Sequence, residues 1–271
     1  MSFAIAGKTA IVTGAAKGIG LAIARQFVEK GANVMFADMD EARLANELGD
    51  AAGDDGPIRM FGGDLRQKLT IANLLSATID AFDRVDILVN ASRQMYAADP
   101  LDADEDGVEA LLEQNLLTSL RVSQQVARRM IQQAERDSAE ANGAAIGSII
   151  NISSIAARRS QPELMAYSIS CAALDQMTRS LAVALAPKRI RVNAIAFGSV
   201  MSTSLKEALK DHPEMRQEIR AHTPLERIAA PGELADAAQF LASDGAGFMT
   251  GQILTLDGGR SLLDAASAPV H

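Results

Sequence analysis

The sequence has no tryptophan, two tyrosines, one cysteine and three histidines among 271 residues. A single cysteine excludes an internal disulfide, which accords with a cytoplasmic location. His212, His222 and His271 have no metal-ligand spacing, so no metal is expected and all three read as surface or loop residues. No apolar run approaches the roughly 18 residues of a membrane span. The opening MSFAIAGK lacks the charged start and long apolar core of a signal peptide. Lysine and arginine number 26 against 34 acidic residues, a formal net charge of −8, which argues against nucleic acid or an anionic membrane as a partner. There is no internal repeat and no low-complexity segment. Apolar residues, by contrast, are plentiful at 48%, enough for a sizeable core.

Those apolar residues fall in alternating strand and helix patterns. Thr9–Val12 is short and partly β-branched, as a buried strand is. It runs into Thr13–Gly20, TGAAKGIG, after which Ile19, Ile23 and Phe27 fall at helical spacing and Gly31 closes the segment. Strand, glycine loop and helix in that order are the context a dinucleotide phosphate requires. Gly14 permits a tight turn, Gly18 lets backbone approach a pyrophosphate, and Gly20 lets the helix pack close to the sheet. The helix start adds free N–H groups and a positive dipole end. The next strand, Asn33–Ala37, ends at Asp38, about 20 residues beyond the glycines. A carboxylate there accepts hydrogen bonds from the adenosine ribose and repels a 2′-phosphate, so NAD is expected over NADP; Lys17 and Arg43 lie close enough to soften that preference.

Further helices are expected near Asp40–Asp50, Gln67–Phe82, Glu105–Ala134, Met165–Ala186 and Gly232–Ala242. Strands are expected at Ile58–Phe61, Val85–Val89, Ser148–Ile152, Ile190–Ile195 and Ile253–Leu256, with Glu135–Gly147 as a polar connection. The alternation implies an α/β fold of the Rossmann type, a doubly wound parallel sheet of about seven strands with helices on both faces. No linker-like composition divides the chain, so residues 1–271 read as a single dinucleotide-binding and catalytic domain. The stretch Met201–Thr223 interrupts the alternation. By position it overhangs the site, as a substrate-covering segment or as an ordinary long connection.

The ordered motifs resemble the short-chain dehydrogenase/reductase family along essentially the whole chain. Thr13–Gly20, including Gly14, Lys17, Gly18, Ile19 and Gly20, is similar to the family's cofactor loop, Asp38 to its ribose-binding acid, and Asp64-Leu65 to its adenine-contacting pair. Asn90-Ala91 begins the turn after the fourth strand. Asn115 falls at the helix asparagine that bends the backbone and holds a proton-relay water in the family. Ser154 and, thirteen residues on, Tyr167 match its catalytic serine and tyrosine. Phe197-Gly198 with Val200 and Ser202 resembles the Pro-Gly segment that holds the nicotinamide carboxamide, and Gly251 with Asp257-Gly258-Gly259 the closing strand. The resemblance implies hydride transfer between nicotinamide and a small-molecule secondary alcohol or ketone. Tyrosine is then acid or base and serine a hydrogen-bond donor to the substrate oxygen. It also implies a homodimer or homotetramer packed through Glu105–Ala134 and Met165–Ala186.

Two positions depart from the family pattern. The family lysine, four residues after the tyrosine, is here Cys171. That lysine lowers the tyrosine pKa and holds the nicotinamide ribose, and a neutral thiol on a short stem does neither. A tyrosine left near its ordinary pKa of about 10 is only about 0.1% phenolate at pH 7, which would slow alcohol oxidation up to roughly a thousandfold. Cys171 itself reads as a small buried residue. The turn after the fourth strand is Asn90-Ala91-Ser92-Arg93, with a bulky cation in place of glycine. Arg93 either supplies charge missing at Cys171, or binds an anionic substrate group, or turns its stem outward into solvent. Arg158 and Arg159 fall in a segment that borders the pocket in the family, either attracting an acidic substrate or forming a solvated basic pair, and Met95, Met165 and Met201 are either an apolar pocket wall or ordinary packing. The alternative to an impaired oxidoreductase is a non-catalytic NAD-binding sensor or structural subunit.

Overall fold

The computed structural model describes residues 3–53, 56–104, 106–137 and 145–264. Seven strands form one sheet: β1 (Thr9–Thr13), β2 (Asn33–Asp38), β3 (Ile58–Gly62), β4 (Ile87–Asn90), β5 (Gly147–Ser154), β6 (Ile190–Phe197) and β7 (Ile253–Leu256). Their order is β3-β2-β1-β4-β5-β6-β7, and every neighbouring pair is parallel. The helices are α1 (Gly18–Glu29), α2 (Glu41–Leu48), α3 (Lys68–Phe82), α4 (Val108–Leu111), α5 (Thr118–Arg136), α6 (Met165–Leu185), α7 (Thr203–Asp211), α8 (Glu214–Ala221) and α9 (Pro231–Ala242).

The central strands read as nearly continuous apolar runs because both of their faces are covered. Side chains alternate between the faces. Val12, Phe36, Val89 and Ile150 pack with Ile23 and Phe27 of α1, Leu44 of α2 and Leu234 of α9. Ile11, Met35, Leu88 and Ile149 pack on the other face with Leu74 of α3, Val122 and Val126 of α5 and Ala182 of α6. After β3 the chain crosses back over β1 to begin β4, so the connections diverge between β1 and β4. A sheet of this kind binds ligands in the crevice outside the carboxyl ends of the strands at that switch point. Gly14 follows β1 and Ala91 follows β4, and the two turns touch: a Cβ on Gly14 would stand 2.7 Å from the Ala91 carbonyl oxygen.

The expected helix from Glu105 to Ala134 is interrupted. It begins after Gly107, whose φ is 72°, runs through the single turn of α4, widens into a π turn at Leu112–Leu117 and continues as α5. The Thr118 and Ser119 hydroxyls donate to the Glu113 and Asn115 carbonyls at 2.9 and 3.0 Å, satisfying groups that the wide turn frees. Glu105 and residues 138–144 of the polar connection lie outside the described residues, as does His271. His212 and His222 are exposed. Met201–Thr223 folds as α7 and α8, with the Ser202 hydroxyl accepting the Leu205 N–H at 3.3 Å to cap α7. Among the described residues no helix is long and apolar enough to cross a membrane.

Candidate active site

The loop between β1 and α1 shows what its glycines do. Gly14 and Gly18 adopt φ values of 68° and 61°, where a side chain is strained. A Cβ on Gly20 would collide with the Gly14 carbonyl oxygen, so the start of α1 rests on the loop. A Cβ on Gly18 would meet only the Ser202 Cβ, at 4.0 Å, leaving open space above the loop. Lys17, exposed, starts α1 without a side-chain cap, and no acidic residue stands in the first turn. The first amides of the helix therefore point, unpaired, toward that space. Ile19 packs inward against the core. Asp38 ends β2 beside the loop and accepts the Ala16 N–H at 3.0 Å and the Asp40 N–H at 3.1 Å. Free amides, open space over Gly18 and a carboxylate at the end of β2 fit a dinucleotide. At the end of β3, Asp64 is paired with Arg66 at 2.8 Å, and that hydrogen bond holds its carboxyl below the usual range. Leu65 is buried beneath it.

Thr13 emerges as a site residue in its own right. Its hydroxyl accepts the amide N–H groups of Ala91 and Ser92, each at 3.1 Å, and so pins the turn after β4 to the glycine loop. A threonine at a strand end carries no sequence signal for that role. Asn90, at the end of β4, is held in a buried hydrogen-bond chain. Its side chain donates to Ser123 at 2.9 Å and to Asn151 at 2.8 Å, and Asn151 passes the chain on to Thr178 at 2.9 Å. Asn90 therefore ties β4 to β5 and α5. Asn115 clamps the next segment: its Oδ1 accepts the Gln94 N–H at 2.8 Å, while Nδ2 donates to the Gln94 carbonyl at 2.9 Å and to Ser170 at 3.0 Å.

Ser154 and Tyr167 come together at the end of β5 and the start of α6. Ser154 is buried and accepts the Ala156 N–H at 3.1 Å. Tyr167 is 2% exposed, and its hydroxyl is buried without a hydrogen bond. Ser154 and Cys171 lie near it but short of bonding geometry. Burial pushes the phenol up to about 12; Arg93 opposes that rise and Cys171 adds to it. Cys171 packs with Leu111, Ala166 and Tyr167, and burial pushes its thiol up, so it is a neutral filler as expected. Between Asn90, Arg93, Asn115, Tyr167 and Cys171 lies a cavity of about 10 Å³. That is room for roughly one water.

Arg93 does not turn outward. Its guanidinium carbon lies 4.2 Å from the Phe197 ring centroid and 5.4 Å from that of Tyr167, and Nη1 donates to the Ser153 carbonyl at 3.5 Å. A flat, weakly hydrated cation gains from stacking on rings, and Phe197 provides one. Gly198 allows close approach to Asp257, since a Cβ there would stand 2.9 Å from the Asp257 Cβ. Val200 is buried and bridges to Ala229. Arg158 and Arg159 are exposed, as is Met95, while Met165 and Met201 are half-buried. Beneath the site, Ser153 donates to buried Asp175 at 2.6 Å.

The chain is similar to known proteins along most of its length. A family model described as enoyl-(acyl carrier protein) reductase matches residues 14–261. The 7α-hydroxysteroid dehydrogenase of Escherichia coli K12 is 35% identical over 260 residues, covering 93% of this chain and 94% of that protein. A solved structure of a 7α-hydroxysteroid dehydrogenase with NADH and 7-oxoglycochenodeoxycholic acid superposes with a TM-score of 0.83 at 31% identity, covering 95% of this chain and 96% of that one. The gluconate 5-dehydrogenase of Burkholderia cenocepacia J2315, solved with NADP and tartrate, gives a TM-score of 0.85 at 28% identity over 97% and 98% of the two chains. Identity of this degree, sustained from the glycine loop past the last strand, reaches beyond a shared sheet: the chain belongs to the short-chain dehydrogenase/reductase family.

Proposed function

We propose that this chain is an NAD-dependent reductase of small-molecule ketones, with Tyr167 as the proton donor and Ser154 orienting the substrate oxygen. The carrying observation is the state of Tyr167. A phenol with a pKa of about 12 is protonated across the neutral range, as an acid must be, and only about 10⁻⁵ of it is phenolate at pH 7. Bound reduced nicotinamide supplies the hydride to the carbonyl carbon. Tyr167 gives its proton to the carbonyl oxygen and regains one from solvent. Oxidation of an alcohol needs the scarce phenolate and is correspondingly slow. Asp38 favours NAD over NADP, through its negative charge beside the loop. Gly14, Gly18, Gly20 and the free amides at Lys17–Ile19 hold the pyrophosphate. Gly198, Val200 and Ser202 border the nicotinamide end, and Asn115 positions the segment after β4 that carries Arg93. Residues 201–223 cover the substrate within a single domain. Pairing of α5 and α6 with a second copy gives a dimer or tetramer, and the cytoplasm is the setting.

A second reading has one observation in its favour. The Tyr167 hydroxyl is wholly enclosed, as suits a non-catalytic NAD-binding subunit. Turnover separates the two. NADH oxidation with a ketone panel should be nearly flat from pH 6 to 9, while NAD-linked alcohol oxidation should rise about tenfold per pH unit. Tyr167→Phe should lower reduction by about 10²- to 10⁴-fold with NADH binding retained. NADH binding without turnover in either direction would leave the binding-subunit reading standing.

A further inference from the structure

Arg93 is a cation without a counter-ion in the middle of the crevice. It is half-buried, makes no ion pair among the described residues, and has one long hydrogen bond, to a neutral carbonyl. Two arginines near strand ends do hold carboxylates: Arg84 holds Asp86 at 2.7 Å and Arg66 holds Asp64 at 2.8 Å. A half-buried charge left unpaired is costly, so a site that keeps one gains when an anion arrives.

Arg93 does little as an activator of Tyr167. The guanidinium lowers the phenol, but burial outweighs it and the phenol still stands at about 12. Its planar fork, with only Nη1 engaged and that bond at 3.5 Å, retains donors for a bidentate carboxylate. The rings that seat it, Phe197 and Tyr167, place it beside the proton donor. A carboxylate bound there sets a neighbouring carbonyl toward Tyr167 and Ser154.

We infer that Arg93 is the receptor for a substrate carboxylate, and that the substrates are oxo acids reduced to hydroxy acids. The inference rests on the reductase reading above. The reaction balances as written there: the hydride pair goes to the keto carbon, the Tyr167 proton to its oxygen, and the carboxylate is unchanged. Arg158 and Arg159, exposed at the same end of β5, are the competing explanation for any preference for acids.

Two measurements on the full chain test this. Calorimetric titration with oxamate and with its uncharged counterpart oxamide, at matched ionic strength, reads binding without turnover. NADH oxidation with a series of 2-oxo acids and their methyl esters reads kcat/KM. Oxamate should bind about 10- to 100-fold more tightly than oxamide, and acids should exceed esters by a similar factor. Arg93→Met should abolish both preferences, Arg93→Lys should keep part of them, and the Arg158→Gln, Arg159→Gln double variant should leave them in place. Equal binding of oxamate and oxamide overturns the inference, as does a preference that survives Arg93→Met or vanishes in the double variant. Good turnover of neutral ketones without preference for acids sinks the carboxylate site and leaves the reductase standing. Arg93-dependent oxamate binding without turnover of any ketone does the reverse.

Discussion

The two sides of the crevice keep different things. The β1–α1–β2 side, which the proposal gives to the dinucleotide, has two glycines at positive φ, one that a Cβ would drive into backbone, a helix start without a side-chain cap, and Asp38. On the β4–α6 side the phenol and the serine are present, but the charges around them differ, with Cys171 one helical turn from Tyr167 and Arg93 stacked in from the opposite wall. The first side works through backbone, so it depends on residues that have almost no side chain. The second works through side-chain charge, where one substitution changes the chemistry while the frame remains. The cofactor capture and the proton transfer proposed above therefore rest on different kinds of residue and should be separable by substitution.

The most drastic way to break that contrast is at Gly20. In Gly20→Val a β-branched side chain must enter space held by the Gly14 carbonyl. NADH affinity should fall more than about 100-fold, and unfolding free energy by about 1–3 kcal/mol, the usual range for overpacking. Calorimetry and denaturant unfolding read the two. A variant that binds NADH normally would show that the loop is ordinary turn and would remove the first half of the comparison.

Cys171→Lys sharpens the second half. An ammonium one turn beyond Tyr167 favours phenolate and lowers the phenol from about 12. Each unit of that fall raises the phenolate fraction tenfold at fixed pH. Alcohol oxidation at pH 8 should rise by about 100-fold, with a pH profile that levels off earlier, while ketone reduction moves by less than about tenfold. The gain is limited by Arg93, a like charge on the far side of a cavity of about 10 Å³. Steady-state rates across pH in both directions check it, and an unchanged oxidation profile would mean that the ammonium does not reach Tyr167.

What the sequence makes legible follows from how far each cause reaches along the chain. The glycine loop is readable because its constraints are local, a φ at Gly14 and Gly18 and a collision between Gly20 and Gly14 within the same loop. The parallel sheet with helices on both faces is readable from the alternation of strand and helix patterns. The π turn at Leu112–Leu117 was not readable, because it depends on the Thr118 and Ser119 hydroxyls choosing carbonyls within the helix over solvent. The bonds that hold Asn90 were not readable either, because parallel pairing sets it opposite Asn151, on another strand, and its amide donates to the Asn151 amide oxygen. The direction of Arg93 was undecidable for the same reason: Phe197 lies on another strand, and no spacing announces that its ring would face the guanidinium. Thr13 and the Ser153–Asp175 pair were missed because hydroxyls at strand ends are common and their partners are distant.

Asp38 offers the finest adjustment, because only its charge needs to change. In Asp38→Asn the one remaining side-chain oxygen can accept the Ala16 N–H, so the loop keeps its tie to β2 while the Asp40 N–H loses its acceptor. The repulsion of a 2′-phosphate disappears, along with one charged acceptor for a ribose hydroxyl. Because the carboxylate is only half-buried, solvent screens that repulsion, and its removal is a modest effect. The ratio of kcat/KM for NADPH to that for NADH should rise about tenfold, from weaker NADH and stronger NADPH use together. An unchanged ratio would locate cofactor choice elsewhere than at the end of β2, and a loss of both cofactors would mean that the carboxylate shapes the loop rather than reads the ribose.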